Sequence, residues 1–239
     1  MEVIITGTGS IWSCCNSAAA LVNKKIAVDF PNGNYKALLR QGIDPGDIDH
    51  VLITHMHGDH ILDLPVWALR KVKFGFQETN PKIYASASMV GFLETLVHES
   101  FPESLGRDVL SGHFDFVTEE EFEIGGVSAK RVPVSHGPHE AYGYMMSDGT
   151  HTVSFSGDSC LCEGLRQMAA ASDLFICETA KLKETDMHMC VSSMIGFAEE
   201  YGNCHFITTH MNDEVREEFL KRKLPGNLTI GTDGFIIEV

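Results

Sequence analysis

The chain has 239 residues, of which 44% are hydrophobic and 21% charged, values that are typical of a soluble globular protein. Its longest apolar runs, such as GFIIEV and LFIC, are far too short to cross a bilayer, which argues against a membrane protein. The formal net charge of −15 argues against a long polyanion such as a nucleic acid as partner, but not against a small anion held at a cation.

Strands and helices alternate along the chain. Predicted strands are 2–7, 18–22, 25–30, 50–54, 82–86, 113–118, 127–134, 140–147, 151–157, 174–178, 205–209, 227–230 and 234–238. Predicted helices are 34–41, 61–73, 88–98, 161–171, 191–201 and 213–222. Each half begins with hairpin-like strands, one pair joined by the Asp-Gly turn at 147–150, and then adds strand–helix units. We therefore predict a single α/β domain over residues 1–239, a four-layer αββα sandwich in which two sheets pack face to face with helices outside.

The compartment is predicted from the N-terminus and the cysteines. MEVIITGTGS has no basic region followed by an apolar segment, so we interpret it as a first strand and not as a signal peptide. The seven cysteines are an odd number without a CxxC pair, and we interpret them as reduced thiols. Both observations predict a cytoplasmic protein.

Residues 51–60, VLITHMHGDH, combine an apolar strand with four residues that are common metal ligands. His55 and His57 are two apart, so in extended backbone they point to the same side. Asp59 and His60 follow Gly58, which permits a turn, so the two pairs can face two neighbouring centres. Imidazole and carboxylate ligands suit zinc, and also manganese or iron.

Three further apolar runs end in a single residue of ligand type. RVPVSH ends at His136, VSFSGD at Asp158 and HFITTH at His210. Strand ends at one edge of an α/β sheet converge, so these side chains can meet. We predict two divalent metal ions, each with an open position for water. The first would be held by His55, His57 and His136, the second by Asp59, His60 and His210, with Asp158 bridging them.

The motif THMHGDH, together with His136, Asp158 and His210, resembles that of the metallo-β-lactamase fold hydrolases. The segments LITHMHGDHILDLP, FSGDSCLCEGL, ICETA, MHMCVSSMIGFAEE and FITTHMNDE are similar in order and spacing to ribonuclease Z and its short relatives. The resemblance covers nearly the whole chain and implies the same two-metal ligand set. It also implies a homodimer, since ribonuclease Z relatives commonly form one.

Glu178 and His188 match a carboxylate–histidine pair of the ribonuclease Z-like phosphodiesterases. A carboxylate that binds one imidazole nitrogen fixes the tautomer and supports the protonated ring. The expected mechanism is hydrolysis by a hydroxide that bridges the two metals and is oriented by Asp59. His188, supported by Glu178, would protonate the leaving oxygen as general acid. The alternative interpretation is that Glu178 is a surface carboxylate and His188 a loop residue.

The chain departs from ribonuclease Z in two segments. The long arm that grips tRNA lies, in that family, between the third metal histidine and the bridging aspartate, whereas here only 21 residues separate His136 from Asp158. The turn that reads DCGEGT in the family is altered to DFPNGN at 29–34. Without the arm and with a charge of −15, the chain is predicted to hydrolyse a small or short phosphodiester rather than precursor tRNA.

Three other function classes remain open at this point. The ligand set also suits a lactonase, a thioesterase or an arylsulfatase of the same fold, although the Glu178–His188 pair argues against a lactonase. Di-iron members of the fold reduce oxygen or nitric oxide, but they typically have a glutamate where this chain has His57, and they need a flavin partner. A metal-free binding protein would have lost ligand residues, whereas here every ligand position is filled.

Overall fold

The computed structural model describes residues 1–75, 80–106 and 112–239. Within these residues the strands form two sheets of seven strands each. The strands of the first sheet are β1 (Glu2–Gly7), β2 (Ala19–Val22), β3 (Ile26–Val28), β4 (His50–Leu52), β5 (Lys82–Tyr84), β6 (Asp115–Val117) and β14 (Phe235–Glu238). Those of the second sheet are β7 (Glu121–Ile124), β8 (Val127–Pro133), β9 (Tyr142–Ser147), β10 (Thr152–Phe155), β11 (Leu174–Glu178), β12 (His205–Thr209) and β13 (Leu228–Ile230).

The helices divide between the two sheets by chain order. Those of the first half are α1 (Asn34–Arg40), α2 (Gly58–Ile61), α3 (Leu64–Phe74) and α4 (Ala87–Ser100). Those of the second half are α5 (Glu163–Ala171), α6 (Val191–Glu200) and α7 (Asp213–Leu220). A 3₁₀ turn at Pro45–Asp47 precedes β4. Among the described helices, none is long and apolar enough to cross a membrane.

Three hydrophobic cores separate four layers, as predicted. Successive side chains of a strand point to opposite faces of its sheet. In β1, Ile4 therefore packs with the helices of the first half, around Leu38, Trp67 and Leu93. Its neighbours Val3 and Ile5 pack instead against the second sheet, in a core that includes Tyr144 and Ile176. The outer face of the second sheet packs against α5, α6 and α7 through Phe175, Phe206, Met168, Phe197 and Phe219.

Every predicted strand forms, but two local features differ from the sequence prediction. Strand β7 was not predicted, because two of its four residues are glutamates, which are uncommon in strands. It forms at the edge of the second sheet, paired antiparallel with β8. The helix predicted at 61–73 begins instead at Leu64, as α3, and the short helix α2 before it ends at Ile61. Pro65 has no amide hydrogen to donate to the carbonyl oxygen of Ile61, so one continuous helix is disfavoured there.

Strand direction decides which loops meet. In the first sheet β3, β4 and β5 run parallel, and β1 runs the same way as β3 because both are antiparallel to β2. In the second sheet β10, β11 and β12 run parallel. The segments that follow these strands therefore gather at the carboxyl edges of the sheets, where sites of α/β proteins form.

Candidate metal centre

The turn after β4 contains four ligand-type residues, and these divide between two groups of possible metal donors. His57 is the N-cap of α2, with extended backbone (φ −69°, ψ 147°), and Gly58 begins the helix. His55 and His57 lie before this turn, Asp59 and His60 within it. The two histidines before the turn fall into one group of possible metal donors, and the two residues within it fall into another.

The first group brings together His55, His57 and His136. His57 Nδ1 lies 3.0 Å from His55 Nε2 and 3.2 Å from His136 Nε2. His136 follows β8, so it reaches these residues from the second sheet. Burial lowers the pKa of all three imidazoles, that of His55 most strongly, and keeps their nitrogens uncharged. Uncharged imidazole is the form that binds a metal.

The second group brings together Asp59, His60 and His210. His210 Nε2 lies 3.4 Å from Asp59 Oδ2. His210 follows β12 and has φ +55°, in the left-handed region, which non-glycine residues seldom adopt. Such backbone strain is concentrated at functional sites, because there the surrounding structure holds the residue in place.

Asp158 lies between the two groups, with one oxygen facing each. Its Oδ2 is 3.7 Å from His55 Nε2 and 4.0 Å from His136 Nε2. Its Oδ1 is 3.4 Å from His60 Nε2 and 3.5 Å from His210 Nε2. Burial by itself would raise the pKa of Asp158, but the histidines, His210 and His60 foremost, hold it well below the ordinary value. The position of this carboxylate suits the predicted bridge.

Gly157 makes the turn that presents Asp158. Its φ is +59°, and a Cβ atom there would lie 2.5 Å from the carbonyl oxygen of Tyr142. A side chain at this position would therefore be both strained and in collision with backbone. The glycine of the SGD segment is thus required by the path of the chain from β10 into the site.

The cluster fits divalent metal ions. His60 Nε2 and Asp158 Oδ1 are buried and have no hydrogen-bond partner among the described residues. Buried polar atoms are normally paired, and a site for a bound ion explains such exceptions. The donors are imidazole nitrogens and carboxylate oxygens, which suit zinc, manganese or iron. The structure thus brings every predicted ligand residue into one cluster.

Three groups outside this set orient its histidines. Thr54 Oγ1 lies 3.1 Å from His55 Nδ1, and the carbonyl oxygen of Met187 lies 2.8 Å from His136 Nδ1. Asp29 Oδ2 accepts a hydrogen bond of 2.7 Å from His60 Nδ1. Contacts of this kind fix the tautomer and orientation of metal-binding histidines. Asp29 was not among the predicted site residues, and its signal in the sequence is a carboxylate directly after β3.

Glu178 and His188 form the predicted pair. Glu178 Oε1 lies 2.9 Å from His188 Nδ1 and accepts a bond of 2.9 Å from the amide of Ser159. Glu178 is buried, whereas the side chain of His188 is 14% exposed. The His188 ring stacks on His210 at 5.7 Å, and its Nδ1 lies 3.8 Å from Asp158 Oδ2. The pair therefore lies next to the second group, and only its His188 side chain is in contact with solvent to an appreciable extent.

Burial shifts the pKa values of both members of this pair. Burial raises the pKa of Glu178 well above its ordinary value, and the Asp158 carboxylate adds to this. Burial also lowers the pKa of His188. Both directions favour an uncharged pair that shares one proton, rather than a carboxylate beside an imidazolium.

His139 and a cleft complete the surroundings. The ring of His139, an exposed residue, lies 4.6 Å from that of His57, so it reaches the rim of the first group. Beside His188 lies a cleft of about 300 Å³, which Cys160, Thr185 and Ser193 help to line. The cleft has the dimensions of a small-molecule site.

The chain is similar in sequence to known proteins. The sequence model of the family described as anti-Pycsar protein Apyc1 matches residues 1–226. An uncharacterised protein of Mycobacterium leprae is 32% identical over 165 residues, 65% of this chain and 54% of that protein, so the match spans about half of that relative. Ribonuclease Z of Mycobacterium bovis is 22% identical over 278 aligned positions, covering 100% of this chain and 98% of that one.

Solved structures share the fold. A diphosphatase from the PhnP family superposes with a TM-score of 0.79 at 20% identity, covering 100% of this chain and 97% of the other. The short form of human tRNase Z superposes with a TM-score of 0.77 at 18% identity, covering 100% and 99%. The predicted four-layer metallo-β-lactamase fold is therefore confirmed.

Proposed function

The chain belongs to the family of the anti-Pycsar protein Apyc1, within the ribonuclease Z-like metal-dependent hydrolases, and we propose that it is a phosphodiesterase for small or short phosphodiesters. This proposal rests mainly on the Glu178–His188 pair, which lies beside the two ligand groups. A phosphodiester with an alkoxide leaving group needs a proton at that oxygen, and the pair holds one.

The ligand sets of the proposed site are those of the sequence prediction. We assign His55, His57 and His136 to one metal ion and Asp59, His60 and His210 to a second, with Asp158 between them. Zinc suits this set best, and manganese or iron would also be accepted. Divalent ions held by these residues would supply an activated water and would neutralise the charge that develops on the phosphate oxygens.

We assign the orientation of the attacking water and the proton transfer to the leaving oxygen to different side chains of the protein. We assign Asp59 to orienting the attacking water, because a carboxylate ligand keeps a second oxygen that can accept a hydrogen bond. His188 Nδ1 is engaged by Glu178, which leaves Nε2 to donate a proton to the leaving oxygen. As Nε2 releases its proton, Nδ1 can take the proton that the pair shares, so that Glu178 becomes the carboxylate and His188 stays neutral.

The surroundings of the site limit the size of the substrate. The segment between His136 and Asp158 is occupied by the hairpin of β9 and β10, in the place where ribonuclease Z has its tRNA arm. The cleft beside His188 measures about 300 Å³, and the chain carries a net charge of −15. These features favour a small phosphodiester over tRNA. A homodimer, if formed, could supply a further binding surface.

The test is a comparison of ester classes on the metal-loaded protein. We expect hydrolysis of bis(p-nitrophenyl) phosphate and about two metal ions per chain, with little turnover of an acyl-homoserine lactone or of p-nitrophenyl sulfate. Cleavage of the lactone, a thioester or the sulfate without diester cleavage would identify another hydrolase of this fold. Bound iron without hydrolysis of any ester would favour redox chemistry.

A further inference from the structure

His188 lies in a segment, residues 182–189, that forms neither helix nor strand. A bridge between Lys181 and Cys190 closes its base, where the amide of Val191 donates to the carbonyl oxygen of Lys181 at 3.1 Å. A general acid must keep its donor nitrogen within hydrogen-bond reach of the leaving oxygen. Contacts inside the segment therefore decide how firmly His188 is held there.

The hydroxyl group of Thr185 binds the backbone around His188 at three points. Its Oγ1 accepts bonds from the amide of His188 at 3.0 Å and from the amide of Met187 at 3.3 Å. It also donates to the carbonyl oxygen of His188 at 3.1 Å. A hydroxyl has one donor and two acceptor positions, and Thr185 uses all of them here. The residue is exposed on the wall of the cleft, so its contribution comes from these bonds rather than from burial.

On one side, these bonds fix the residue that we assign as general acid. The ring of His188 meets Glu178 through Nδ1 and Oε1, 2.9 Å apart. Glu178 is held in the core, where the same oxygen accepts a bond of 2.9 Å from the amide of Ser159, so it cannot follow a displaced ring. A shift of the His188 backbone would therefore separate the pair and move Nε2 as well.

On the other side, the same bonds fix the backbone that orients a histidine of the first ligand group. The carbonyl oxygen of Met187 lies 2.8 Å from His136 Nδ1. The carbonyl oxygen of Asp186 accepts a bond of 3.0 Å from the amide of Gly137. A Cβ atom at Gly137 would lie 2.9 Å from Met187 Cγ, which shows how closely the two segments pack. The Thr185 hydroxyl thus restrains a carbonyl group that His136 needs.

We propose that Thr185 is a positioning residue that holds the general acid and a metal-binding histidine in place together. Its hydroxyl keeps the His188 ring against Glu178 and the Met187 carbonyl against His136. The part that concerns His188 rests on the proposed phosphodiesterase function, whereas the part that concerns His136 requires metal binding alone. A side chain that only stabilised the segment would not change the dependence of turnover on the leaving group.

The first experiment uses two esters that differ in the leaving group alone. Methyl phenyl phosphate releases phenolate, a poorer leaving group than the p-nitrophenolate of methyl p-nitrophenyl phosphate, so it gains more from a proton donor. Thr185→Val keeps the shape of the side chain without its hydroxyl, whereas Thr185→Ser keeps the hydroxyl. In Thr185→Val we expect kcat to fall about tenfold on the phenyl ester and much less on the p-nitrophenyl ester, with little change in KM. Thr185→Ser should be close to wild type on both.

A double-variant cycle tests whether Thr185 acts on turnover through His188. In a His188→Ala background the general acid is absent, so at saturating metal we expect Thr185→Val to lower kcat on the phenyl ester no further. Additive losses would overturn the proposed action through His188. Equal losses on both esters in Thr185→Val, or a Thr185→Ser protein as impaired as Thr185→Val, would overturn it as well.

The second experiment measures metal affinity by competition with a chelator and does not depend on turnover. We expect Thr185→Val to bind metal about tenfold more weakly than wild type, because the Met187 carbonyl is held less firmly, and Thr185→Ser to match wild type. Thr95→Val is a matched control, since Thr95 is exposed on α4 and its hydroxyl donates to the carbonyl oxygen of Gly91 in the same helix. Wild-type affinity in Thr185→Val would overturn the link to His136.

The two experiments separate this inference from the proposed function. If the wild type binds metal but hydrolyses neither ester, and Thr185→Val still weakens metal binding, the phosphodiesterase proposal fails and the link from Thr185 to His136 stands. If the wild type cleaves both esters, and Thr185→Val changes neither the dependence on the leaving group nor the metal affinity, the phosphodiesterase proposal stands and the positioning role fails.

Discussion

Asp29 accepts a hydrogen bond of 2.7 Å from His60 Nδ1, although the two residues are 31 positions apart. The same carboxylate accepts bonds of 2.8 Å from the amide and from the hydroxyl of Thr54. Asp29 therefore fixes both the strand end that leads to His55 and the ring of His60. Burial would lower the pKa of His60, but Asp158 and Asp29 outweigh it and raise that pKa well above its ordinary value.

Asp29→Asn should weaken metal binding without removing it. The amide can still accept from the backbone of Thr54, but it no longer offers a charged acceptor to His60. We expect the metal affinity to fall about 10- to 100-fold, measured by competition with a chelator. Asp63→Asn is a matched control, since the Asp63 carboxylate accepts a bond from the amide of Tyr35 rather than from a histidine of the cluster. Equal affinities in wild type and Asp29→Asn would contradict the positioning role.

Asp158→Ala should lower the metal content of the protein. Asp158 is the one carboxylate whose two oxygens face both ligand groups among the described residues, so its loss removes a donor from each. We expect metal analysis to find fewer than two ions per chain in a variant whose circular dichroism is native-like. Asp173→Ala serves as control, since Asp173 accepts a bond from Thr152 at the start of β10. Wild-type metal content in Asp158→Ala would refute the bridging assignment.

His188→Ala should separate substrates by their leaving groups. A poor alkoxide leaving group needs a proton in the transition state, whereas p-nitrophenolate does not. We expect turnover of a nucleoside cyclic phosphodiester to fall about 10²- to 10⁴-fold and that of bis(p-nitrophenyl) phosphate to fall much less. Steady-state kinetics of wild type and variant on both esters measure the ratio of the two losses in turnover. Equal losses on the two substrates would show that His188 is not the general acid.

Glu178→Gln should stabilise the metal-free protein at high pH. The folded-state pKa of Glu178 is raised above its ordinary value of 4.5 by burial. The carboxyl group therefore contributes stability that is fully present below pH 4.5 and lost as the pH rises towards the folded-state pKa. The amide side chain introduced by this substitution does not titrate, and its oxygen can still accept from the amide of Ser159.

The measurement for Glu178→Gln is the free energy of unfolding in urea with a chelator present, at pH 5 and pH 8. We expect the free energy of unfolding of the variant, minus that of wild type, to be larger at pH 8 than at pH 5. The increase between the two pH values should be at least about 1 kcal/mol. A difference between the two proteins that is the same at both pH values would mean that Glu178 does not change its ionisation in this interval.

The sequence by itself determined the fold class and the set of ligand-type residues. His55, His57, Asp59 and His60 follow a short apolar strand, and His136, Asp158 and His210 each end one. These are local signals, because a strand is recognised by its own residues and a polar residue at its end needs no partner to be noticed. The proximity of Glu178 and His188 was expected from a family resemblance, and the structure places them in hydrogen-bond contact.

Only the tertiary structure decided which side chains support the cluster. Asp29 reaches His60 because β3 pairs with β4, and nothing near Asp29 in the sequence indicates that pairing. The protonation of the Glu178–His188 pair depends on burial and on Asp158, which are properties of the assembled core. Long-range contacts of this kind arise from sheet pairing and packing, and they leave no periodic trace in the sequence.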